Sequence, residues 1–169
     1  MNTITGRCWK LGSNISNDQL MSSKWVFDYD LKILTKNILV DIIAQFPDEA
    51  KSGDFIIAGE NFAHGSLHIH PFLALKEMGI GVICKSMPRG SFRLAIYAGV
   101  NVLIDAGAAS DLVADGDRIE VDESTSTVRN LTRPGTAKIE PLSPFLTEII
   151  SAGGGVEYMR RLELNAAQA

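Results

Sequence analysis

Three short apolar segments, joined by two helix-length stretches, constrain the fold of this chain more than any other feature. Each segment is four or five residues long and rich in Val, Ile or Phe, as short buried strands are. Strands that alternate with helices form parallel sheets with right-handed crossovers. The pattern predicts strands over residues 55–58, 81–84 and 100–104, and helices over residues 71–78, with Gly79 as the stop signal, and 91–98.

The flanking thirds of the chain add a helix-rich start and a β-ribbon. We predict a strand over residues 4–11 and a polar loop over residues 12–23. A long helix is expected over residues 31–46, where apolar residues recur at helical spacing up to Pro47. Alternating polarity predicts a hairpin of residues 117–122 and 125–131, and Ser143-Pro144 is a typical helix start. The resulting prediction is one mixed α/β domain over residues 1–164, with helices over residues 144–152 and 156–164 and a frayed tail over residues 165–169.

Charge and hydropathy exclude two classes of function. The 169 residues carry a formal net charge of −4, and no stripe of Lys and Arg interleaved with aromatic residues is present, which argues against nucleic-acid binding. The longest apolar stretches are too short to span a membrane. The first residues lack the apolar core of a signal peptide, so we expect a cytoplasmic protein.

The two cysteines, Cys8 and Cys84, lie in apolar segments far apart in the sequence. In a cytoplasmic chain two buried thiols are favoured over a disulfide. Two cysteines also cannot hold an iron–sulfur cluster on their own, since such clusters take about three or four thiolates. Any cluster chemistry would therefore require another chain.

All three histidines, His64, His68 and His70, lie within seven residues that also contain Gly65 and Ser66. This window connects a predicted strand to a predicted helix, where ligands of α/β sheets bind. The free N–H groups of the helix start favour an anionic ligand. A turn with surface histidines is the alternative. No nearby carboxylate or cysteine completes a metal site, so we predict none.

A second loop, residues 85–90, follows the next predicted strand and is expected beside the histidine loop. Lys85, Ser86, Arg89 and Arg93 could bind a carboxylate there. Surface ion pairs of Lys85 and Arg93 explain the same residues equally well. On the hairpin, Glu120, Asp122 and Glu123 are expected to form a solvated sheet edge that discourages association.

Four segments in this order resemble a known family. They read GRCWKLGSNI from Gly6, GDFIIAGENF from Gly53, ALKEMGIGVICKS from Ala74 and PLSPFLTEIISAGG from Pro141. The chain is similar, over residues 6–162, to the small subunit of 3-isopropylmalate dehydratase, the equivalent of the swivelling domain of aconitase. The resemblance implies a swivelling β/β/α domain, a mixed sheet or barrel with flanking helices.

The resemblance also implies a function and partners. Family members complete the active site of a large aconitase-type subunit that carries a [4Fe–4S] cluster, and they bind no cofactor themselves. The enzyme dehydrates and rehydrates a hydroxy di- or tricarboxylate. A cluster iron acts as Lewis acid on the leaving hydroxyl, and a serine of the small subunit takes the proton from carbon. The small subunit alone is expected to be inactive and able to form homo-oligomers.

The family's catalytic loop usually reads GSSREH, and residues 65–70 read Gly-Ser-Leu-His-Ile-His. Ser66 matches the catalytic serine and His70 the family's histidine, next to Gly65. The arginine that binds substrate carboxylate is replaced by His68, and the other two positions are Leu67 and Ile69. A histidine lacks the planar fork of arginine, so His68 could take over part of the carboxylate binding or act as a second acid–base group.

Two further family motifs are altered. The early loop DNIDTDQI reads SNISNDQL over residues 13–20, and its later arginine is matched by Lys24. The KSFAR loop reads KSMPR over residues 85–89, which keeps Arg89. The resemblance therefore implies Ser66 as the catalytic residue and Lys24, Gly65, His68, His70 and Arg89 as substrate-binding residues.

Three interpretations follow. The first is a diverged small subunit of a hydro-lyase that acts on a different hydroxy acid, one similar to 3-isopropylmalate. The second is a non-catalytic binding or regulatory homologue, which the apolar Leu67 and Ile69 favour. The third is 3-isopropylmalate dehydratase itself, for which the missing arginine must come from elsewhere.

Overall fold

The computed structural model describes residues 3–105 and 107–167. Its sixteen named elements include a 3₁₀ helix over Ser23–Trp25. The strands are β1 (Thr3–Lys10), β2 (Phe55–Ala58), β3 (Gly81–Cys84), β4 (Val102–Ile104), β5 (Arg118–Asp122), β6 (Thr127–Asn130) and β7 (Thr136–Lys138). The α-helices are α1 (Asn17–Leu20), α2 (Leu31–Asn37), α3 (Phe46–Glu49), α4 (His70–Met78), α5 (Arg89–Ala98), α6 (Ala108–Leu112), α7 (Pro144–Ala152) and α8 (Gly155–Ala167).

All seven strands form one mixed sheet in the order β4-β3-β2-β1-β5-β6-β7. The first four strands of this order are mutually parallel, as the alternating pattern predicts. The other half is antiparallel, with β5 paired to β1 and β6 paired to β5 and β7. The predicted hairpin is thus confirmed with slightly shorter strands, and β1 joins the two halves.

Two apolar clusters lie on opposite faces of the sheet, because successive side chains of a strand point to opposite sides. Strand β1 shows this alternation: Cys8 belongs to one cluster and Trp9 to the other. The Trp9 ring meets Phe46 edge-on, with 5.0 Å between ring centroids. Both cysteines are buried free thiols, which confirms the prediction made from the sequence.

The predicted long helix over residues 31–46 is wrong. Helix α2 ends at Asn37, and Leu39 adopts a left-handed conformation with φ of 60°. The Leu39 N–H donates to the carbonyl of Leu20 at 2.7 Å, and the Ile38 and Leu39 side chains are fully buried. These tertiary contacts override the helical periodicity. Pro47 does not end a helix but lies in the first turn of α3.

The predicted acidic sheet edge is also wrong. Strand β5 lies between β1 and β6, so its side chains do not guard an edge. Glu120 instead pairs with Arg129 across the hairpin at 2.6 Å. Asp122 accepts hydrogen bonds from Ser124 in the turn, and Glu123 accepts one from Asn101. A strand neighbour, the turn and the segment before β4 therefore satisfy carboxylates that the local sequence alone suggests are solvated.

The C-terminal helices match the prediction at their start and extend it at their end. Ser143 caps α7, accepting from the Leu146 N–H at 3.5 Å. Helix α8 continues through Ala167, past the predicted helix end at Leu164, while residues 168 and 169 of the predicted frayed tail lie outside the described part of the chain. Helix α6 and strand β7 have no counterpart in the prediction. Within residues 3–105 and 107–167, no helix is both long and apolar enough to span a membrane.

Candidate active site

The candidate site lies where the parallel strands β2 and β3 end. The loops after these strands are joined as predicted, because the Asn61 N–H donates to the Ser86 hydroxyl at 2.8 Å and the Phe62 N–H to the Ser86 carbonyl at 3.0 Å. The Ser91 hydroxyl, in the first turn of α5, donates to the Ala63 carbonyl. The histidine loop is therefore fixed to the start of α5.

Helix α1 holds the other side of the histidine loop. Ser16 forms an isolated parallel bridge with His64, and the Asn17 N–H donates to the His64 carbonyl at 2.7 Å. The fully buried Asn17 also donates its side-chain amide to the His68 carbonyl at 2.9 Å. Ser16 caps α1 in a reciprocal pair with Gln19. A polar segment that the sequence predicts as a loop is thus a rigid support.

Ser66 is solvent-exposed and follows Gly65, whose φ of 87° strongly favours glycine. Leu67 is also exposed and packs onto the start of α5, where a Cβ on Gly90 would lie 3.2 Å from its Cδ2. Helices α4 and α5 both begin without a side-chain cap. The positive ends of their dipoles make this region suitable for an anion.

His68 and His70 face inward from the loop. His70 is 3% exposed and the His68 side chain 10%. None of their four ring nitrogens has a hydrogen-bond partner among the described residues. The rings are tilted, with centroids 5.6 Å apart, and Tyr29 lies 4.8 Å from His70. Burial lowers the pKa of both imidazoles, which favours their neutral forms at pH 7 and argues against either as the cation that replaces arginine.

The basic residues predicted to bind substrate differ in their surroundings. Lys85 forms an ion pair with Asp111 at 3.0 Å, so the ion-pair interpretation holds for this residue. Arg89 is exposed at the first residue of α5, and no hydrogen bond or ion pair within residues 3–105 and 107–167 involves it. Lys24 is exposed on the 3₁₀ helix, with its Nζ 5.2 Å from the Trp25 ring centroid.

In the part of the chain that the structure describes, no three His, Cys, Asp or Glu side chains are arranged to hold a metal ion. A cavity of about 320 Å³ lies away from these loops, between Leu103, Ile139 and Ile150. The candidate site is therefore an open surface with the exposed hydroxyl of Ser66, an unpaired guanidinium and two helix starts. A second surface is needed to enclose a substrate there.

Comparison with known proteins identifies the family. No family model matches the chain. It is 40% identical to 3-isopropylmalate dehydratase small subunit 1 of Archaeoglobus fulgidus, over 95% of this chain and 99% of that one. It is 35% identical to the isopropylmalate/citramalate isomerase small subunit of Methanocaldococcus jannaschii, over 94% of each chain. The crystal structure of a 3-isopropylmalate dehydratase from the latter organism matches 99% of both chains with a TM-score of 0.92 and 32% identity.

The chain belongs to the 3-isopropylmalate dehydratase small-subunit family.

Membership confirms the fold class and the type of enzyme predicted from the sequence. The mixed seven-stranded sheet with flanking helices is the aconitase-type swivelling domain. The chain is the small subunit of an aconitase-type hydro-lyase, and the comparisons support this interpretation and not that of a non-catalytic homologue. Ile69, which favoured the latter, packs against the core and has a structural role.

Three residues of the site were missed from the sequence: Asn17, Asp18 and Tyr29. A signal for Asp18 was present, since the aspartate of the family's early loop is kept at this position. Asp18 lies 3.6 Å from the ring of His68, measured from Oδ1 to Nε2. Neither Asn17 nor Tyr29 has a distinctive sequence pattern, and only the fold brings them to the histidine loop.

Proposed function

We propose that this small subunit completes the active site of a large aconitase-type subunit and that the complex interconverts hydroxy di- or tricarboxylates similar to 3-isopropylmalate. The names of its relatives support this class of substrate, because isopropylmalate and citramalate are both hydroxy dicarboxylates. The observation that carries the proposal is the exposed hydroxyl of Ser66 beside two uncapped helix starts.

We assign the residues of this chain as follows. Ser66 exchanges a proton with the substrate carbon as general base and acid. Arg89 and Lys24 supply positive charge for the substrate carboxylates, since both are exposed and Arg89 has no partner among the described residues. The N–H groups near Gly65 add hydrogen bonds to the same anion. His68 and His70 contribute hydrogen bonds and not charge, because burial favours their neutral forms.

The [4Fe–4S] cluster is proposed on the large subunit. Cys8 and Cys84 are buried in different clusters, and burial raises the pKa of each thiol to about 12. Thiolates are needed to bind iron, so these thiols do not fit as cluster ligands. When bound, the cluster supplies a Lewis-acidic iron for the leaving hydroxyl.

Two free thiols also fit a reducing compartment, which supports a cytoplasmic location.

The test is an anaerobic pull-down of the tagged chain from its host, followed by assays of the recovered complex. We expect a larger chain with an iron–sulfur absorbance to co-purify and to hydrate unsaturated dicarboxylates. Ser66→Ala should lower turnover by roughly 10²–10⁴-fold without affecting assembly. Ser151→Ala, at an exposed serine on α7, is the matched control. Equal turnover of the Ser66→Ala and wild-type complexes would contradict the assignment of Ser66, and recovery of the chain alone would contradict the complex.

A further inference from the structure

Residues 65–67, which we call the serine tip, carry the Ser66 hydroxyl without any hydrogen bond of their own. Within residues 3–105 and 107–167, no hydrogen bond involves Gly65, Ser66 or Leu67. The side chain of Leu67 packs onto the start of α5, but it is 60% exposed. The position of the Ser66 hydroxyl therefore depends mainly on the contacts that hold the two ends of the tip.

Several contacts hold the N-terminal end of the serine tip. His64 forms a parallel bridge with Ser16, and its carbonyl accepts from the Asn17 N–H at 2.7 Å. One residue earlier, the Ala63 N–H donates to the Ile15 carbonyl at 2.7 Å. These are backbone contacts, so they do not depend on the side chain of Asn17.

The C-terminal end of the serine tip depends on that side chain. The Asn17 Nδ2 donates to the His68 carbonyl at 2.9 Å, and the described residues make no other hydrogen bond to the backbone of His68. This carbonyl belongs to the peptide group that joins the tip to Ile69, the residue before α4. The amide therefore fixes the direction in which the chain runs from the tip into the helix.

Asn17 itself is held rigidly. It is fully buried at the first residue of α1, and the capping box of Ser16 and Gln19 fixes the start of this helix. Its two donors reach carbonyls that lie two residues before and two residues after Ser66. Ser66 is thus the midpoint of a segment whose ends are both attached to one buried residue.

We propose that Asn17 is a positioning residue for Ser66, because its backbone N–H and its side-chain amide together hold both ends of the serine tip. This inference rests on the function proposed above. Each residue of the backbone has two soft dihedral angles, so a tip released at His68 can swing about its attachment at His64. A misplacement of about 1 Å in a reacting group can lower a rate by roughly 10²-fold. Asn17 therefore acts on turnover without touching the substrate.

The first test is ¹⁵N relaxation of the isolated full chain by NMR. Asn17→Asp keeps the size of the side chain but replaces the donor with a carboxylate. We expect lower backbone order parameters at Ser66 and Leu67 than in the wild type, with no change at His64. Asn37→Asp is the matched control, because it removes an amide bond to a backbone carbonyl, that of Ile33, within α2.

Unchanged order parameters of the serine tip in folded Asn17→Asp would overturn the proposal. If this variant does not fold, Asn17→Thr decides the question. Threonine is the residue of the family's early loop at this position, and its hydroxyl is one bond closer to the backbone than the Asn17 Nδ2. That leaves it too far from the His68 carbonyl for a hydrogen bond, so the same loss of order is expected.

The second test is turnover of the reconstituted complex between pH 5 and pH 8. Asn17→Asp should lower kcat by about tenfold or more at the upper end of this range, with KM and the affinity for the large subunit unchanged. A protonated carboxyl can donate to the His68 carbonyl again. The ratio of variant to wild-type kcat should therefore rise as the pH falls, whereas the ratio for Asn17→Thr should not.

A kcat ratio of Asn17→Asp that does not change with pH would indicate a merely structural role and overturn the proposal. The two proposals can also fail separately. If the wild-type complex shows no turnover while the order parameters of the serine tip fall in Asn17→Asp, the proposed function fails but the attachment of the tip by Asn17 stands.

Discussion

Asp117 connects three parts of the chain through one buried carboxylate. It accepts hydrogen bonds from the Ala114 N–H at 2.9 Å, from the Asn130 amide at 2.8 Å and from the Arg133 guanidinium at 2.8 Å. The Ala114 N–H contributes most to lowering the pKa of Asp117 from the usual 3.8. The hydrogen bonds from Asn130 and Arg133 lower this pKa further. The carboxylate therefore stabilises the fold above about pH 4, and this contribution is lost as the pH falls through its folded-state pKa.

We predict that Asp117→Asn lowers the free energy of unfolding by about 1–3 kcal/mol at pH 7, because buried donors lose a charged acceptor. The difference in the free energy of unfolding between Asp117→Asn and the wild type should become smaller below pH 3.8. Urea unfolding at pH 7 and at decreasing pH measures both effects. Asp111→Asn, at an exposed ion pair with Lys85, is the control and should cost less than about 1 kcal/mol. An equal loss in both variants would contradict the argument.

Cys8 and Cys84 give a second prediction at this scale. Burial raises the pKa of each thiol to about 12, and the thiolate is the reactive form. We expect almost no reaction with Ellman's reagent at pH 8 in the native chain, and two equivalents after unfolding in guanidinium. Rapid labelling of either thiol before unfolding would show that the segment that carries it opens to solvent in the native chain.

At the residue scale, the sequence identifies the histidine loop but not the state of its side chains. The three histidines beside Gly65 and Ser66 lie in a connection between a strand and a helix, as predicted, because such connections are local. Burial of His68 and its contact with Asp18 arise from segments 50 residues apart in the chain. A contact between distant segments cannot be inferred from the local sequence, so the low basicity of these histidines could not be predicted.

Among the elements, strand β1 has the tightest steric requirement. A Cβ on Gly6 would lie 2.1 Å from the Gly53 carbonyl oxygen, a backbone atom that cannot rotate away. We predict that Gly6→Ala lowers the free energy of unfolding by about 3 kcal/mol, or abolishes folding, because it overpacks this contact. Gly12→Ala is the control, since nothing lies within 4 Å of its Cβ position. Thermal unfolding of both variants tests this prediction. Equal stabilities of Gly6→Ala and Gly12→Ala would contradict it.

Elements whose ends carry local signals were predicted well. Helix α4 ends at Gly79 in the left-handed conformation, and α7 begins at Ser143-Pro144, as expected. The segment after Asn37 carries no such signal. Its helical spacing is real, but the buried pairing of Leu39 with Leu20 outweighs it. Helix α6 and strand β7 are short, and their few residues contain too little periodicity to be recognised.

For the whole molecule, an exposed apolar surface adjoins the candidate site. Phe27 is 93% exposed, Tyr29 66% and Leu67 60%, and Tyr29 contacts His70. Exposed aromatic residues of this kind mark protein interfaces, and the proposed function supplies the large subunit as partner. We expect this surface to be covered in the complex.

We predict that Phe27→Ala weakens association with the large subunit by about tenfold or more, since loss of a buried aromatic anchor costs more than 1 kcal/mol. Unfolding of the isolated chain should be unchanged. Leu164→Ala, at an exposed residue of α8, is the control and should bind normally. Binding can be measured by titration of the large subunit under anaerobic conditions. Full affinity of the Phe27 variant would place the interface elsewhere.

The central position of β1 has a consequence for synthesis on the ribosome. This strand is made before the other six described strands, yet one of its edges pairs with β5, which begins at Arg118. Chain synthesis proceeds at about 5–20 residues per second, so β5 is made on the order of 10 s after β1. During this interval β1 and β2 can pair, but the other backbone edge of β1 has no partner of its own. Nascent chains that stop before Arg118 should therefore depend on chaperones, while those that reach Asn130 contain β5 and β6 and can pair this edge of β1.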